Sequence, residues 1–332
     1  MVRPCSRRQG RSCLTDKLPI MAPAIEVRDL VKRYRKGTVN AVDGVSFDVE
    51  QGQFFALLGP NGAGKTTTIS ILTTTLGLTS GTVKIAGHDV VREASAVRRE
   101  GGIIFQKPSL DMNLSGEENI RFHAVLYRLY PYRPVYRLMP AGYRHQVRDL
   151  ADVVGLGAEV FKPVRRLSGG MRRKLEIIRG LMHHPRVLFL DEPTSGLDTA
   201  SRRNLWQYIR DLRKQRDITI CLTTHQLVEA EDADRVCIID RGRVVAIGAP
   251  HEVKVELVQE TLHIDAADRA ALRRRLVALQ LPFNEDGHFV VRLNGRTAYE
   301  VVQSVEQPLT MLRTESATLE DAYLRLLAGE DA

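Results

Sequence analysis

Apolar and polar residues change rhythm several times along the chain, and each change predicts a different element. Ile25 to Tyr34 and Val42 to Val49 alternate apolar with polar side chains, as half-exposed strands do. Phe54 to Leu58 is instead a short unbroken apolar run, the signature of a strand buried on both faces. Thr67 to Leu76 then reads as a helix, and Thr82 to Ile85 with Gly87 as a strand and turn. Ile103 to Phe105 is another buried strand, and Leu114 to Gly180 is mostly helical. Within it Met171, Leu175, Ile178 and Met182 recur at helical spacing. Buried strands return near Val187, Ile218 and Val236, separated by helices such as Ser201 to Lys214. Such alternation predicts an α/β fold with a mainly parallel, covered sheet behind an antiparallel beginning.

The character shifts after Gly248-Ala249-Pro250. Glu260 to Ile264, Ala266 to Leu279, Phe289 to Leu293, Ala298 to Val305, Thr310 to Thr314 and Leu319 to Leu327 mix strand-like and helix-like runs. They predict a small α+β domain over residues 256–330, for regulation or dimer support, with no catalytic cluster of its own. The main domain is expected over 23–250, its helical part at about 110–180.

Composition narrows the partners. The net charge of the 332 residues is +8, but the first twenty residues hold five basic side chains and one acid. The remainder is only mildly basic and carries scattered arginines rather than a stripe, so nucleic acid is not an expected partner. No apolar run approaches the ~20 residues that a membrane-spanning helix needs. Attachment to a membrane would come from another polypeptide. Residues 1–22 lack apolar periodicity and a secretory core, and are expected to be disordered, with Met21 as an alternative start. Cys5, Cys13, Cys221 and Cys237 show no metal-ligand spacing, and the latter two sit in apolar runs as buried thiols.

The candidate chemistry begins directly after the first buried strand. Gly59-Pro60-Asn61-Gly62-Ala63-Gly64-Lys65-Thr66-Thr67 fits the phosphate-binding loop, between a strand and a helix as that motif requires. Its glycines allow a nest of inward N–H groups at a helix N-terminus. Lys65 is placed to reach β- and γ-phosphates, and Thr66 to hold magnesium through its hydroxyl. Val187 to Leu190 ends in Asp191 and Glu192, two acids at the carboxyl end of a strand. Asp191 suits the magnesium shell and Glu192 a general base toward water, although an acid pair can also cap a helix. Leu167-Ser168-Gly169-Gly170 opens the amphipathic helix and forms a second anion-binding helix start. One chain thus carries two phosphate-binding devices, whose natural use is head-to-tail pairing of two copies.

These segments together resemble the ATP-binding-cassette ATPases, the motor subunits of membrane transporters. The resemblance covers about Ile25 to Val255. It implies a phosphate-loop ATPase fold with a parallel core sheet, an antiparallel β subdomain and a helical subdomain. It also implies that Tyr34 stacks on adenine, a contact worth about 1 kcal/mol. Gln106 corresponds to the glutamine that senses magnesium and the attacking water, and His225 to the histidine on the γ-phosphate. Ser195-Gly196-Leu197-Asp198 corresponds to the loop that crosses the dimer interface. The expected ligands are ATP and Mg2+. The expected partners are a second copy, or a related ATPase subunit, and a separate transmembrane permease; the expected place is the cytoplasmic, inner face of the membrane.

Within that family, four segments are most similar to exporters of the daunorubicin-resistance and nodulation-factor type: 109–119, 169–176, 223–231 and 318–324. Met171 stands where many relatives carry glutamine, a departure this branch shares. The implied function is ATP-driven export of a drug or other amphipathic compound, with import or a non-transport role as the alternative. A DNA-repair ATPase would need a coiled coil, and a two-cassette translation factor would need each motif twice; neither is present. Tyr127 to Tyr143 holds five of the nine tyrosines and is either a partner-facing surface or an irregular loop packed on its own helices.

Overall fold

A computed structural model describes residues 22–35, 37–106, 109–257, 261–293 and 296–315, with Glu320 and Tyr323. The expected extension lies outside these residues apart from Ala22, as does most of Leu319 to Leu327. In chain order the elements are β1 (Ile25–Lys32), β2 (Val42–Val49), β3 (Phe54–Leu58), α1 (Lys65–Leu72), β4 (Ser80–Ile85) and β5 (His88–Asp89). Then come α2 (Ala94–Glu100), β6 (Gly101–Ile104), α3 (Gly116–Leu126), α4 (Ala141–Val153), α5 (Gly169–Leu181) and β7 (Val187–Asp191). They are followed by α6 (Thr199–Arg216), β8 (Thr219–Thr224), α7 (Leu227–Ala230), β9 (Arg235–Asp240), β10 (Arg243–Gly248) and α8 (Pro250–Leu257). The last group is β11 (Thr261–Asp265), α9 (Arg269–Ala278), β12 (Phe283–Asp286), β13 (His288–Arg292), α10 (Ala298–Val305) and β14 (Met311–Glu315).

The described residues form three sheets. β2-β1-β4-β5 is antiparallel. The central sheet runs β10-β9-β3-β8-β7-β6 and is parallel except for the edge strand β10. β12-β13-β11-β14 is antiparallel and, with α9 and α10, encloses its own core around Leu262, Phe289 and Val301. Period-two alternation along β3 sends Phe54, Ala56 and Leu58 into the core shared with the helical part. Phe55 and Leu57 face the other core, against the first sheet and α1. Cys221 and Cys237 lie in that second core as buried free thiols.

Where the elements differ from the sequence reading, side-chain competition or turn chemistry is the cause. α1 stops at Leu72 rather than Leu76. The Thr73 hydroxyl bonds back to Ile69 O at 2.8 Å, and Ser70 O accepts from both Thr75 N and Leu76 N. Hydroxyls bonding to the preceding turn compete with helical continuation in this way. β10 is an unforeseen hairpin partner of β9, joined by Arg241 (φ 46°) and Gly242 (φ 81°), the two positive-φ positions of a tight hairpin turn. In Tyr127 to Tyr143 most of the tyrosines pack on the chain's own helices, while residues 131–135 and 137–138 between them are exposed. Tyr143 is buried and donates to Glu117 Oε1 at 2.9 Å, Tyr130 donates to Gln146 Oε1 at 2.9 Å, and Tyr136 donates to Arg144 O at 3.0 Å. Only Tyr132, stacked on Phe122, turns half of itself outward.

Candidate functional site

Parallel pairing brings the carboxyl ends of β3, β6, β7 and β8 to one edge of the central sheet, where α/β proteins place their ligands. Leu58 pairs with Thr224, Asp191 with Thr223, and Ile104 with Leu190. Each strand therefore delivers its next residues to the same place: the phosphate loop, Gln106, Asp191 with Glu192, and His225.

The loop is shaped by its glycines. Gly59 and Gly64 have φ of 155° and 107°. A Cβ at Gly59 would lie 2.2 Å from Ile239 O, and one at Gly64 would lie 2.5 Å from Ala41 O. Only glycine fits at either position. Lys65 is buried and donates to Gly59 O at 2.7 Å and Pro60 O at 3.0 Å, so its ammonium sits at the mouth of the nest. Burial lowers its pKa, opposed by the charges of Glu192 and Asp191. The Thr66 residue is exposed, and Thr67 Oγ1 lies 3.3 Å from the hydroxyl of Tyr34, whose ring is half exposed beside the loop.

Glu192 is the centre of the acidic end. It adopts φ 45°, a strained value for a non-glycine residue, and its backbone N–H donates to Thr223 O at 3.0 Å. Gln106 Nε2 donates to Glu192 Oε2 at 2.7 Å, and His225 Nδ1 lies 3.2 Å from Glu192 Oε1. Both carboxylate oxygens are thus held, one from β6 and one from β8. Asp191 is buried and accepts from the Thr223 hydroxyl, and burial raises its pKa against the pull of that bond, Lys65 and Arg173. A buried carboxylate, a hydroxyl and an amide oxygen fit a small hard cation that keeps much of its water and ligand shell. Among the described residues no group of three or more His, Cys, Asp or Glu side chains gathers as a dedicated cage.

Arg173 was not singled out by the sequence. It is buried on α5 and donates from Nε to Pro193 O at 2.7 Å and from Nη2 to Asp191 O and Glu192 O at 3.3 Å. Its Nη1 donates to Phe105 O and to Glu176 Oε2, the latter at 2.9 Å. One guanidinium therefore supports both the acidic pair and the strand end before Gln106. An Arg-Glu pair at i,i+3 usually reads as a solvated helix pair. The usable signal was its place on the buried face next to Ile177 and Gly180.

The second helix start stands apart. Ser168 is exposed and caps α5 by accepting from Met171 N at 3.2 Å, with Gly169 exposed beside it. Asp198 caps α6, accepting from Ser201 N at 2.9 Å and Ser201 Oγ at 2.6 Å, which holds its carboxyl below the usual range. Neither makes a hydrogen bond to the phosphate loop among the described residues. Gly170 faces Ser201, where an added Cβ would meet the hydroxyl at 2.8 Å.

Known proteins resemble this chain in sequence and fold. The ABC transporter family profile matches residues 42–195. The Nod factor export ATP-binding protein I of Ralstonia nicotianae is 36% identical over 327 residues, covering 93% of this chain and 95% of that protein. The daunorubicin/doxorubicin resistance ATP-binding protein of Streptomyces peucetius is 42% identical over 259 residues, covering 77% and 75%. Among solved structures, cbiO1 of Clostridium perfringens, part of an ABC transporter complex, is 26% identical, with a TM-score of 0.61 over 78% of this chain and 96% of its own. A cassette solved as a dimer after hydrolysis, bound to ADP and Pi, shares the fold at 23% identity and a TM-score of 0.61, over 68% of this chain and 98% of its own. On the gathered strand ends, and on identity across nearly the whole length of a relative, the chain belongs to the ATP-binding proteins of ABC transporters.

Proposed function

We propose that the chain hydrolyses ATP to ADP and phosphate as the energising subunit of an exporter. The observation that carries this is the clamp on Glu192: Gln106 and His225 each hold one carboxylate oxygen at the mouth of the phosphate loop. Loop N–H groups and Lys65 bind the β- and γ-phosphates, and Tyr34 stacks on adenine. Glu192 takes the proton of the attacking water, Gln106 orients that water, and His225 positions the γ-phosphate. Thr66, Asp191 and Gln106 would hold magnesium, which when bound offsets charge on the phosphate oxygens.

Each site is completed by Ser168, Gly169, Gly170 and Asp198 of a second copy, or of a related ATPase subunit, so ATP favours a closed pair because its phosphates contact both halves. That pair would drive a separate transmembrane permease from the cytoplasmic face. The cassette is assigned to residues 23–250 and a regulatory or dimer-supporting unit to 256–330. Export of a drug or other amphipathic compound is favoured by the names of the relatives above, and a mild positive excess suits work beneath an anionic leaflet.

Glu192→Gln tests the assignment. Steady-state hydrolysis should fall roughly 10²- to 10⁴-fold, the scale for losing a general base. ATP affinity should stay within about threefold, and MgATP should shift the variant to a dimer in light scattering. Wild-type turnover would remove Glu192 from this role.

A further inference from the structure

We propose that Glu229 is a positioning residue for hydrolysis: its buried carboxylate ties the segment carrying His225 to the segment that runs from Glu192 to Asp198. Glu229 lies on the short helix α7 and is 6% exposed. Three neutral donors from three parts of the chain hold it. Its Oε1 accepts from the Thr194 hydroxyl and, at 3.4 Å, from Trp206 Nε1 on α6. Its Oε2 accepts from the hydroxyl of Thr224, the last residue of β8, at 2.6 Å. All three donor residues are buried as well. A carboxylate taken out of water depends on such donors, and losing one is costly.

The two oxygens serve different parts of the site. Thr194 lies two residues after Glu192 and four before Asp198. Around it Ser195 N donates to Glu192 O at 3.1 Å and Leu197 N to Thr194 O at 3.0 Å, so anchoring Thr194 anchors the whole turn. Trp206 belongs to α6, the helix that Asp198 caps. Thr224 directly precedes His225, and its Oγ1 also accepts from Gln226 N at 2.9 Å. Both chain neighbours of His225 are therefore fixed through one hydroxyl. His225 Nδ1 in turn lies 3.2 Å from Glu192 Oε1, which closes the circuit.

A carboxylate only accepts, so both threonine hydroxyls must turn their protons toward it. That leaves a lone pair of Thr224 Oγ1 for Gln226 N. Glutamine at 229 would offer an N–H to one hydroxyl and reverse that threonine. This role rests on the reading of Glu192 and His225 given above, so Glu192→Gln is measured alongside.

The test is a double-mutant cycle on kcat in the full chain, with turnover referred to bound MgATP so that only folded sites count. Thr194→Val and Thr224→Val keep the shape and remove the hydroxyls. Each should lower kcat about tenfold, as should Glu229→Gln. The double valine variant should lose less than about threefold more than either single, because opening one end already undoes the tie. In the Glu229→Gln background either valine should cost less than about threefold. The ATP Kd should hold within about threefold throughout. Thr194→Ser and Thr224→Ser, which keep the hydroxyl and give up a methyl, should stay within about threefold of wild-type kcat.

Serine variants as slow as the valine variants would assign the effect to packing and overturn the proposal. So would valine losses that multiply to about a hundredfold, or a Kd that weakens in step with kcat. A readout without turnover is the His225 ring resonance in the nucleotide-free chain. Thr194→Val should shift it in the wild-type background and far less beside Glu229→Gln; a resonance indifferent to Thr194 would also overturn the tie. Wild-type turnover in Glu192→Gln would bring down the reading of the site together with this role. Collapse in that variant, with independent threonine effects, would bring down the role of Glu229 alone.

Discussion

Replacing Arg173 with methionine should destabilise the cassette and slow hydrolysis while sparing nucleotide affinity. Arg173 is 5% exposed and paired with Glu176, itself 1% exposed. Removing one partner of a buried ion pair typically costs about 3–5 kcal/mol, because the other charge is left without compensation. Here the lower end applies. Glu176 keeps a 2.9 Å bond from Ser109 N, and Arg179 stands 3.8 Å away. About 3 kcal/mol, at roughly 2–4 °C per kcal/mol for a unit of this size, lowers Tm by about 6–12 °C. The double variant Arg173→Met/Glu176→Gln removes the stranded charge and should recover at least about 1 kcal/mol. In scanning calorimetry, a single variant within about 2 °C of wild type, or a double variant weaker than the single, would refute the reasoning. Kinetics give a second readout. Arg173 touches the carbonyls of Asp191, Glu192 and Phe105 but nothing in the phosphate loop. Hence kcat should fall at least tenfold and the ATP Kd should hold within about threefold.

Three further outcomes follow from the same geometry. Tyr34→Ala should weaken ATP about fivefold, the worth of one stacking contact of about 1 kcal/mol, and an unchanged Kd in a fluorescence titration would free Tyr34 from the adenine. Gly64→Ala places a methyl 2.5 Å from Ala41 O at φ 107°, so it should cost more than tenfold in nucleotide binding; tight binding by that variant would show the loop to be pliable. His123, half-buried against Tyr127 and near the Arg179 charge, has its pKa lowered from 6.5 to about 3, desolvation being the larger cause. The folded state therefore takes up its proton later than the unfolded state, and stability present above pH 6.5 is lost as pH falls toward 3. Between pH 7 and 5 that loss is about 2 kcal/mol in urea unfolding. His123→Phe should remove it, and an identical pH slope in the variant would contradict the burial argument.

How much was legible depends on whether the information is local. The phosphate loop, the acidic pair and the helix-opening serine with its glycines each write their chemistry in a few adjacent residues. The element that carries each one also follows from a short apolar run. Gln106 and His225 were legible only through their order in the chain, yet parallel pairing necessarily brings strand ends together, so they meet at Glu192. Arg173 was illegible because four of its partners are backbone carbonyls on other elements, 18 to 68 residues distant in sequence. No pattern of side chains records where carbonyls will converge. The end of α1 was misread for the opposite reason, since a run of threonines satisfies a helical pattern while its hydroxyls compete for the carbonyls that would continue it.

The two proposed phosphate-binding segments also differ in how they are supported. The loop after β3 is fixed by steric necessity, with Ile239 O and Ala41 O leaving room for glycine alone. The start of α5 is exposed at Ser168 and Gly169, with the Ser168 hydroxyl capping Met171 N. Neither Ser168 nor Asp198 bonds to its own chain's phosphate loop among the described residues. Yet α5 is not mechanically independent of the catalytic end. Five residues after Ser168, Arg173 grips the carbonyls of Asp191 and Glu192 and the strand end before Gln106. The proposed outward-facing anion site and the proposed general base therefore share one rigid support. A displacement of α5 by even an ångström would have to stretch several buried hydrogen bonds or carry Glu192 with it, and in a close-packed interior the second costs less.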